Sequence, residues 1–154
     1  MKAVIMAGGK GTRISSIASD IPKPMIKIDG VPVLEREIYC LKEQGFDDLI
    51  ITVSHLGHII MDYFGDGSDF GVHIEYFIEE KPLGNAGALF KLKDRLTDDF
   101  LLLNADAIFD IDFNRIVSYH KKKGGLVTLF THPNSHPYDL SLIHISEPTR
   151  HAQI

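Results

Sequence analysis

The chain has 154 residues, of which 44% are hydrophobic and 24% charged, with a formal net charge of −5. These are the values of a globular protein with room for one domain and a real core. The acidic balance excludes a broad nucleic-acid-binding face, which needs clustered cations, and leaves open a small anionic ligand. The single cysteine, Cys40, excludes an internal disulfide, and no apolar run reaches the roughly 18 residues of a membrane span. The expectation is a cytoplasmic protein with no nucleic-acid or membrane partner.

In chain order, residues 4–7 are an apolar run that hands over at once to GGKGTRIS. Lys23 then sits between Pro22 and Pro24, which fix φ and disfavour helix. Leu34, Ile38 and Leu41 keep helical spacing, and Gly45 ends that helix. Residues 49–53 are a second apolar run. Ile59, Ile60, Tyr63 and Phe64 predict a second helix, stopped by GDGSDFG, and residues 73–80 a further strand. Leu89, Leu92 and Leu96 predict a third helix, and residues 100–103 a strand. Ile116, Val117 and His120 predict a fourth helix that runs into three lysines, and residues 126–130 a last apolar strand. Near-continuous apolar strands are buried on both faces, as in parallel sheets, and their alternation with helices predicts an α/β fold.

In an open α/β sheet, ligands bind beyond the carboxyl ends of the strands, where the glycine-rich turn lies. Its free N–H groups suit phosphate oxygens. Lys10 and Arg13 would each add a charge-assisted hydrogen bond of about 1.5–3 kcal/mol. Neither common phosphate fingerprint fits: Gly11 is followed by Thr12 and not by lysine, and Ile14 stands where a dinucleotide motif has its last glycine. On the residues alone, this is an anion-binding loop or a tight turn. Lys23 is a cation on a stiff segment or a solvent lysine.

The stretch AGGKGTR (7–13), then PKPM nine residues later and GVPVLE (30–35), resembles the sugar-1-phosphate nucleotidyltransferases. That family includes the mannose- and heptose-1-phosphate guanylyltransferases. Residues 82–89 (PLGNAGAL) resemble its P-L-G-T-A-G-A-L motif, and residues 101–113 (LLLNADAIFDIDF) its strand ending in N-[GA]-D. The resemblance covers residues 1 to about 139. It implies a Rossmann-like three-layer α/β/α fold with a mostly parallel sheet, the nucleotide-diphospho-sugar transferase fold, here incomplete. It implies the synthesis of an NDP-sugar and pyrophosphate from an NTP and a sugar 1-phosphate, GTP with mannose or heptose 1-phosphate being favoured by the Ser15-Ser16 spacer.

By the same resemblance, Gly8, Gly9 and Gly11 wrap the phosphates, with Ala7, Lys10 and Thr12 completing the nucleotide loop. Arg13 holds the β- and γ-phosphates, and Lys23 sits near the α-phosphate. Gly84, Asn85 and Gly87 lie against base and ribose, and Asp106 binds Mg²⁺. Arg13, Lys23 and Asp106 are thus the expected catalytic set. Asn85 departs from the usual threonine. The family's second metal-binding aspartate and its sugar-binding segment lie beyond residue 139, so the chain alone is expected to be inactive. The full-length protein is a candidate homo-oligomer. Two other readings are a non-catalytic nucleotide- or nucleotide-sugar-binding regulatory domain and a metal-dependent glycosyltransferase using Asp110-x-Asp112.

Residues 140–154 continue no periodic pattern. Those from 140 to 150 match the in-frame translation of a common transposase sequencing adaptor, and HAQI fits the bases that follow it. They are expected to be a non-native tail, with residues 1–139 the nucleotide-binding part. Elsewhere, Asp112 is expected to cap the helix from Phe113, His55 and His58 to be surface residues or caps, and Cys40 to act as a small buried hydrophobe.

Overall fold

The structure, a computed structural model, describes residues 1–9, 20–81 and 83–131, the side chains of Asn85 and Ala86 aside. It divides into two units, Met1–Ile111 and Asp112–Ile154. In chain order the first unit contains β1 (Lys2–Met6), β2 (Lys27–Ile28), β3 (Val31–Pro32), α1 (Val33–Glu43), β4 (Asp48–Val53), α2 (Gly57–Phe64), β5 (His73–Ile78), α3 (Gly84–Leu92) and β6 (Phe100–Asn104). The second contains α4 (Phe113–Lys123).

Strands β5, β4, β1 and β6 form, in that order, a four-stranded sheet in which every pair is parallel. The two inner strands are the most apolar, and Ala3, Val4, Ile5, Leu49, Ile50, Ile51 and Val53 are fully buried. Both faces are therefore covered, as the unbroken apolar runs require. Val4 lies opposite Ile50, and these two pack with Leu92, Leu89 and Leu96, so α3 and the turn after it cover one face. Val53 points to the other face. There a Cβ on Gly57 would fall 2.8 Å from the Val53 Cβ, which seats α2 directly on the sheet. Helix α1 lies beside α2: the Tyr63 hydroxyl donates to Glu35 Oε2 at 2.6 Å, and Lys42 Nζ donates to the Phe70 carbonyl at 2.9 Å. The result is a helix–sheet–helix sandwich.

The chain order sets where a ligand can enter. From β1 the chain steps outward to β4 and β5, then returns across the sheet through α3 to β6 on the other side of β1. Strand order thus reverses at β1, and a crevice opens at the carboxyl ends of strands at such a reversal.

Three local outcomes differ from expectation. The Pro22–Pro24 segment, expected to disfavour helix, forms a short 3₁₀ helix at Lys23–Met25, closed by the Met25 N–H to the Pro22 carbonyl at 2.8 Å. Proline's fixed φ suits the first positions of such a turn, where its missing donor costs nothing. Residues 126–130 form no strand, and Leu126, Val127, Leu129 and Phe130 are exposed. An apolar run becomes a strand only when a neighbour completes its ladder, and none does so among the described residues. A hairpin of β2 and β3 also appears where none was expected. Its turn is Asp29-Gly30, both at positive φ (52° and 81°), and the Asp-Gly dipeptide was its sequence signal.

In the second unit, the Asp112 carboxylate accepts the Arg115 N–H at 3.0 Å and caps α4, as its position predicted. Gly124, at φ 64°, ends the helix after its run of lysines.

Candidate functional site

All four parallel strands end on one edge, and backbone bonds just past their ends hold the departing loops together. The Ala7 N–H donates to the Thr52 carbonyl at 2.9 Å, the Glu79 N–H to Val53 at 2.7 Å, and the Ala105 N–H to Met6 at 3.2 Å. Residues 7, 79 and 105 are therefore one row at the mouth of the sheet. Gly8 and Gly9 leave β1 beside Asp106, which leaves β6 one residue past the bond that ties that strand to β1. Asp106 is exposed, and so is Gly9, around which a Cβ would meet nothing within 4 Å.

The glycines of residues 82–89 have separate physical reasons. Gly84 opens α3 at φ 66°, a backbone that side chains disfavour. A Cβ on Gly87 would lie 2.9 Å from the Leu83 Cβ, so the first turn of α3 closes tightly on the residue before it. The Asn85 side chain lies outside the described residues, as do Lys10, Gly11, Thr12 and Arg13 and the tail from 140 to 154.

Lys23 is half-buried on its 3₁₀ turn, and among the described residues its ammonium has no ion pair. The turn packs against α1 through the buried Met25, and the Val33 N–H at the start of α1 donates to the Ile26 carbonyl at 3.0 Å.

One face of α1 backs the segment that follows Asp106. Cys40 Sγ lies 3.8 Å from the Phe109 carbonyl, and Gln44 Nε2 donates to the Ile111 carbonyl at 3.0 Å. Glu37 lies one turn earlier on the same stripe, with 1% of its surface exposed and neither carboxylate oxygen partnered among the described residues. Burial, with a smaller push from the charge of Asp106, raises its carboxyl to about 9. At neutral pH Glu37 is thus a neutral acid, which adds no second negative charge behind Asp106. Burial also pushes the Cys40 thiol up, so it is no ready nucleophile.

Sequence reasoning missed Glu37, Ser54 and Glu79. Glu37 carried one signal: it falls on the apolar stripe of α1, between Leu34 and Ile38. Ser54 directly follows the apolar run at 49–53, whereas Glu79 fell inside the strand expected over 73–80, which ends at Ile78. Asp110 is exposed, and Asp112 is taken up by its cap. His55 and His58 are exposed and, among the described residues, belong to no potential metal cluster. Among the described residues the only such cluster is Asp48, His73 and Glu75, at the opposite end of the sheet. There Lys2 Nζ lies 3.0 Å from Asp48 and 3.6 Å from Glu75, and Arg95 lies 3.4 Å from Glu75. Protein cations already pair with both carboxylates of that cluster. No helix among the described residues is long and apolar enough to cross a membrane.

Comparison with known proteins agrees with this arrangement. The model of the nucleotidyl transferase family matches residues 2–153. A UTP–glucose-1-phosphate uridylyltransferase of Synechocystis is 42% identical over 85% of this chain and 37% of its own length. A D-glycero-alpha-D-manno-heptose 1-phosphate guanylyltransferase of Campylobacter jejuni is 41% identical over 75% of this chain and 52% of its own. Among solved structures, HddC from Yersinia pseudotuberculosis complexed with GMP-PN superposes with a TM-score of 0.70 at 32% identity, covering 77% of this chain and 53% of that one. The chain thus spans about a third to a half of the length of these relatives.

Proposed function

The chain belongs to the nucleotidyl transferase family, and from that premise we propose that it is the nucleotide-binding part of an enzyme joining an NTP to a sugar 1-phosphate. The products are an NDP-sugar and pyrophosphate. The observation that carries this reading is the bond from Ala105 to Met6, which sets the glycine turn and Asp106 side by side where strand order reverses. The proposed substrates are GTP and mannose or heptose 1-phosphate. UTP with glucose 1-phosphate is the second pair, because the relatives' names divide between guanylyl and uridylyl transfer.

In the reaction an oxygen of the sugar phosphate attacks the α-phosphorus, the α–β bridging bond breaks, and pyrophosphate leaves in line. Both reactants are anions, so the protein's task is to neutralise and align them. Backbone N–H groups of the loop that follows Ala7 are proposed to hold the phosphates, and Arg13 to take the β- and γ-phosphates. Lys23, an ammonium on a stiff turn without an ion pair of its own among the described residues, meets the charge that develops at the α-phosphate. Gly84, Asn85 and Gly87 form the wall for base and ribose.

A divalent cation fits the donor set. Asp106 offers an exposed carboxylate at the mouth of the sheet, while Glu79 and Glu37 are buried. Mg²⁺ is held by one or two carboxylates and keeps phosphate oxygens and water for the rest, so Asp106 would supply one of its protein ligands. Bound there, it would neutralise triphosphate charge. Residues 140–154 are proposed to be a non-native tail with no part in this chemistry, and the protein to act in the cytoplasm.

The test is pyrophosphate release by the protein that carries the remaining half of the family's length, given GTP with mannose 1-phosphate and UTP with glucose 1-phosphate. Release that needs both substrates supports the reading. Nucleotide binding without release, for either pair, would make this a regulatory module. Loss of nucleoside diphosphate from an NDP-sugar would make it a glycosyltransferase.

A further inference from the structure

The first glycine of the nucleotide turn is gripped from two sides by residues outside every motif. The Ser54 hydroxyl, just past β4, donates to the Gly8 carbonyl at 2.6 Å. On the other side lies the Glu79 carboxylate: a Cβ built on Gly8 would fall 2.6 Å from Glu79 Oε1 and 3.1 Å from its Cδ. The other oxygen, Oε2, accepts the Leu83 N–H at 3.1 Å, directly before α3 begins at Gly84. Glu79 is itself anchored to β4 through its backbone N–H. One side chain thus spans from the turn after β1 to the start of α3.

We propose that Glu79 and Ser54 are positioning residues that lock Gly8, and through it the nucleotide turn, to the start of α3. This deepens the nucleotide-site reading above and rests on it. Burying a carboxylate is costly unless its oxygens are used, and Glu79 is only 7% exposed. Its oxygens are used for shape: one holds a backbone N–H, and the other fills the space a Gly8 side chain would need. A side chain at position 8 would have to push this carboxylate aside. The partners of Gly8 at 54 and 79 lie 46 and 71 residues away, on the ends of two other strands, which is why no local motif contains them. Gly8 held in this way fixes the start of the turn before the ligand arrives, which lowers the ordering cost of binding.

The experiment is a double-mutant cycle on the full chain, read as the dissociation constant for GTP and, separately, for UTP, with thermal unfolding measured on each variant. In the wild-type background, Gly8→Ala should weaken nucleotide binding about tenfold or more, because its Cβ displaces the carboxylate. In the Glu79→Ala background the same change should cost less than about threefold. Glu79→Gln, which still accepts from Leu83, should stay within about threefold of wild type, and Ser54→Ala should weaken binding by about three- to tenfold. An equal cost of Gly8→Ala in both backgrounds would overturn the brace. So would a Glu79→Gln loss as large as that of Glu79→Ala, since charge and not shape would then be at work. If a glycine variant fails to fold, Ser54→Ala decides: nucleotide affinity equal to wild type overturns the proposal. A wild-type chain that binds neither nucleotide would instead remove the underlying reading, an outcome distinct from additivity.

Discussion

The two ends of the sheet treat charge in opposite ways. At the amino end, Lys2, Asp48, Glu75 and Arg95 neutralise one another across strands and the turn after α3, and His73 Nδ1 lies beside Asp48. Separations run from 3.0 Å for Lys2–Asp48 to 3.6 Å for Lys2–Glu75. Burial pulls the Asp48 carboxyl up, but hydrogen bonds from Lys2 and His73 outweigh it and hold the group below its usual range. At the carboxyl end, Lys23 has no ion pair among the described residues, Asp106 is exposed, and Glu37 is buried as a neutral acid. Charges that satisfy each other stabilise a fold, whereas charges the fold leaves unanswered await a ligand.

The sharpest way to break this contrast is to remove the unanswered charges. In the longer protein, Lys23→Ala and Asp106→Asn should each lower turnover by about 10²-fold or more in a pyrophosphate-release assay. Asp106→Asn should also raise the Mg²⁺ requirement while leaving the melting temperature in place. Arg13→Ala should act mainly on nucleotide affinity. If Asp106→Asn lowered the melting temperature with the Mg²⁺ requirement unchanged, Asp106 would be a turn residue and the metal role would pass to Asp110.

The second contrast is in pH. Glu37 titrates near 4.5 when unfolded and at about 9 when folded, so the native state binds its proton more tightly. Its contribution to stability is fully present below pH 4.5 and is lost progressively as pH rises toward 9. Glu37→Gln removes this slope: relative to wild type, its folding equilibrium should improve by on the order of tenfold per pH unit across that window. Denaturant titrations at pH 5, 7 and 8.5 measure this, and a difference independent of pH would place the proton elsewhere. The amino-end network should behave otherwise. Asp48 is depressed, so its contribution is present above the unfolded value of 3.8 and lost as pH falls through its lower folded value. Lys2 is raised, chiefly by its hydrogen bond to Asp48, so its contribution persists up to its unfolded value of 10.5 and is lost only above it. Near neutral pH neither Asp48 nor Lys2 adds a slope.

Smaller effects belong to stability alone. Asp112→Ala should cost about 1 kcal/mol by uncapping α4, without changing nucleotide affinity. Smallest of all, Glu75→Gln at the amino end should cost under about 1 kcal/mol, because its partners are solvent-accessible. A large loss of nucleotide affinity in that variant would contradict the division of labour between the two ends.

Much of this protein was legible in its sequence because the signals were local. Unbroken apolar runs placed β1, β4 and β6, helical spacing placed α1 and α2, Asp112 stood where a cap must stand, and the glycine turn marked the mouth of the sheet. The run at 126–130 misled for a related reason: apolar character is local, but a strand needs a partner. Tertiary structure alone decided the order β5-β4-β1-β6, which sets Asp106 beside the turn after β1. It decided that Glu37, on an otherwise apolar stripe, would be buried against its ordinary chemistry. It also decided that the Glu79 carboxylate lies where a Gly8 side chain would project. Hydrophobic periodicity and backbone preference act over a few residues and can be read along the chain, whereas strand order, burial of charge and steric fit arise between residues that only the fold makes neighbours.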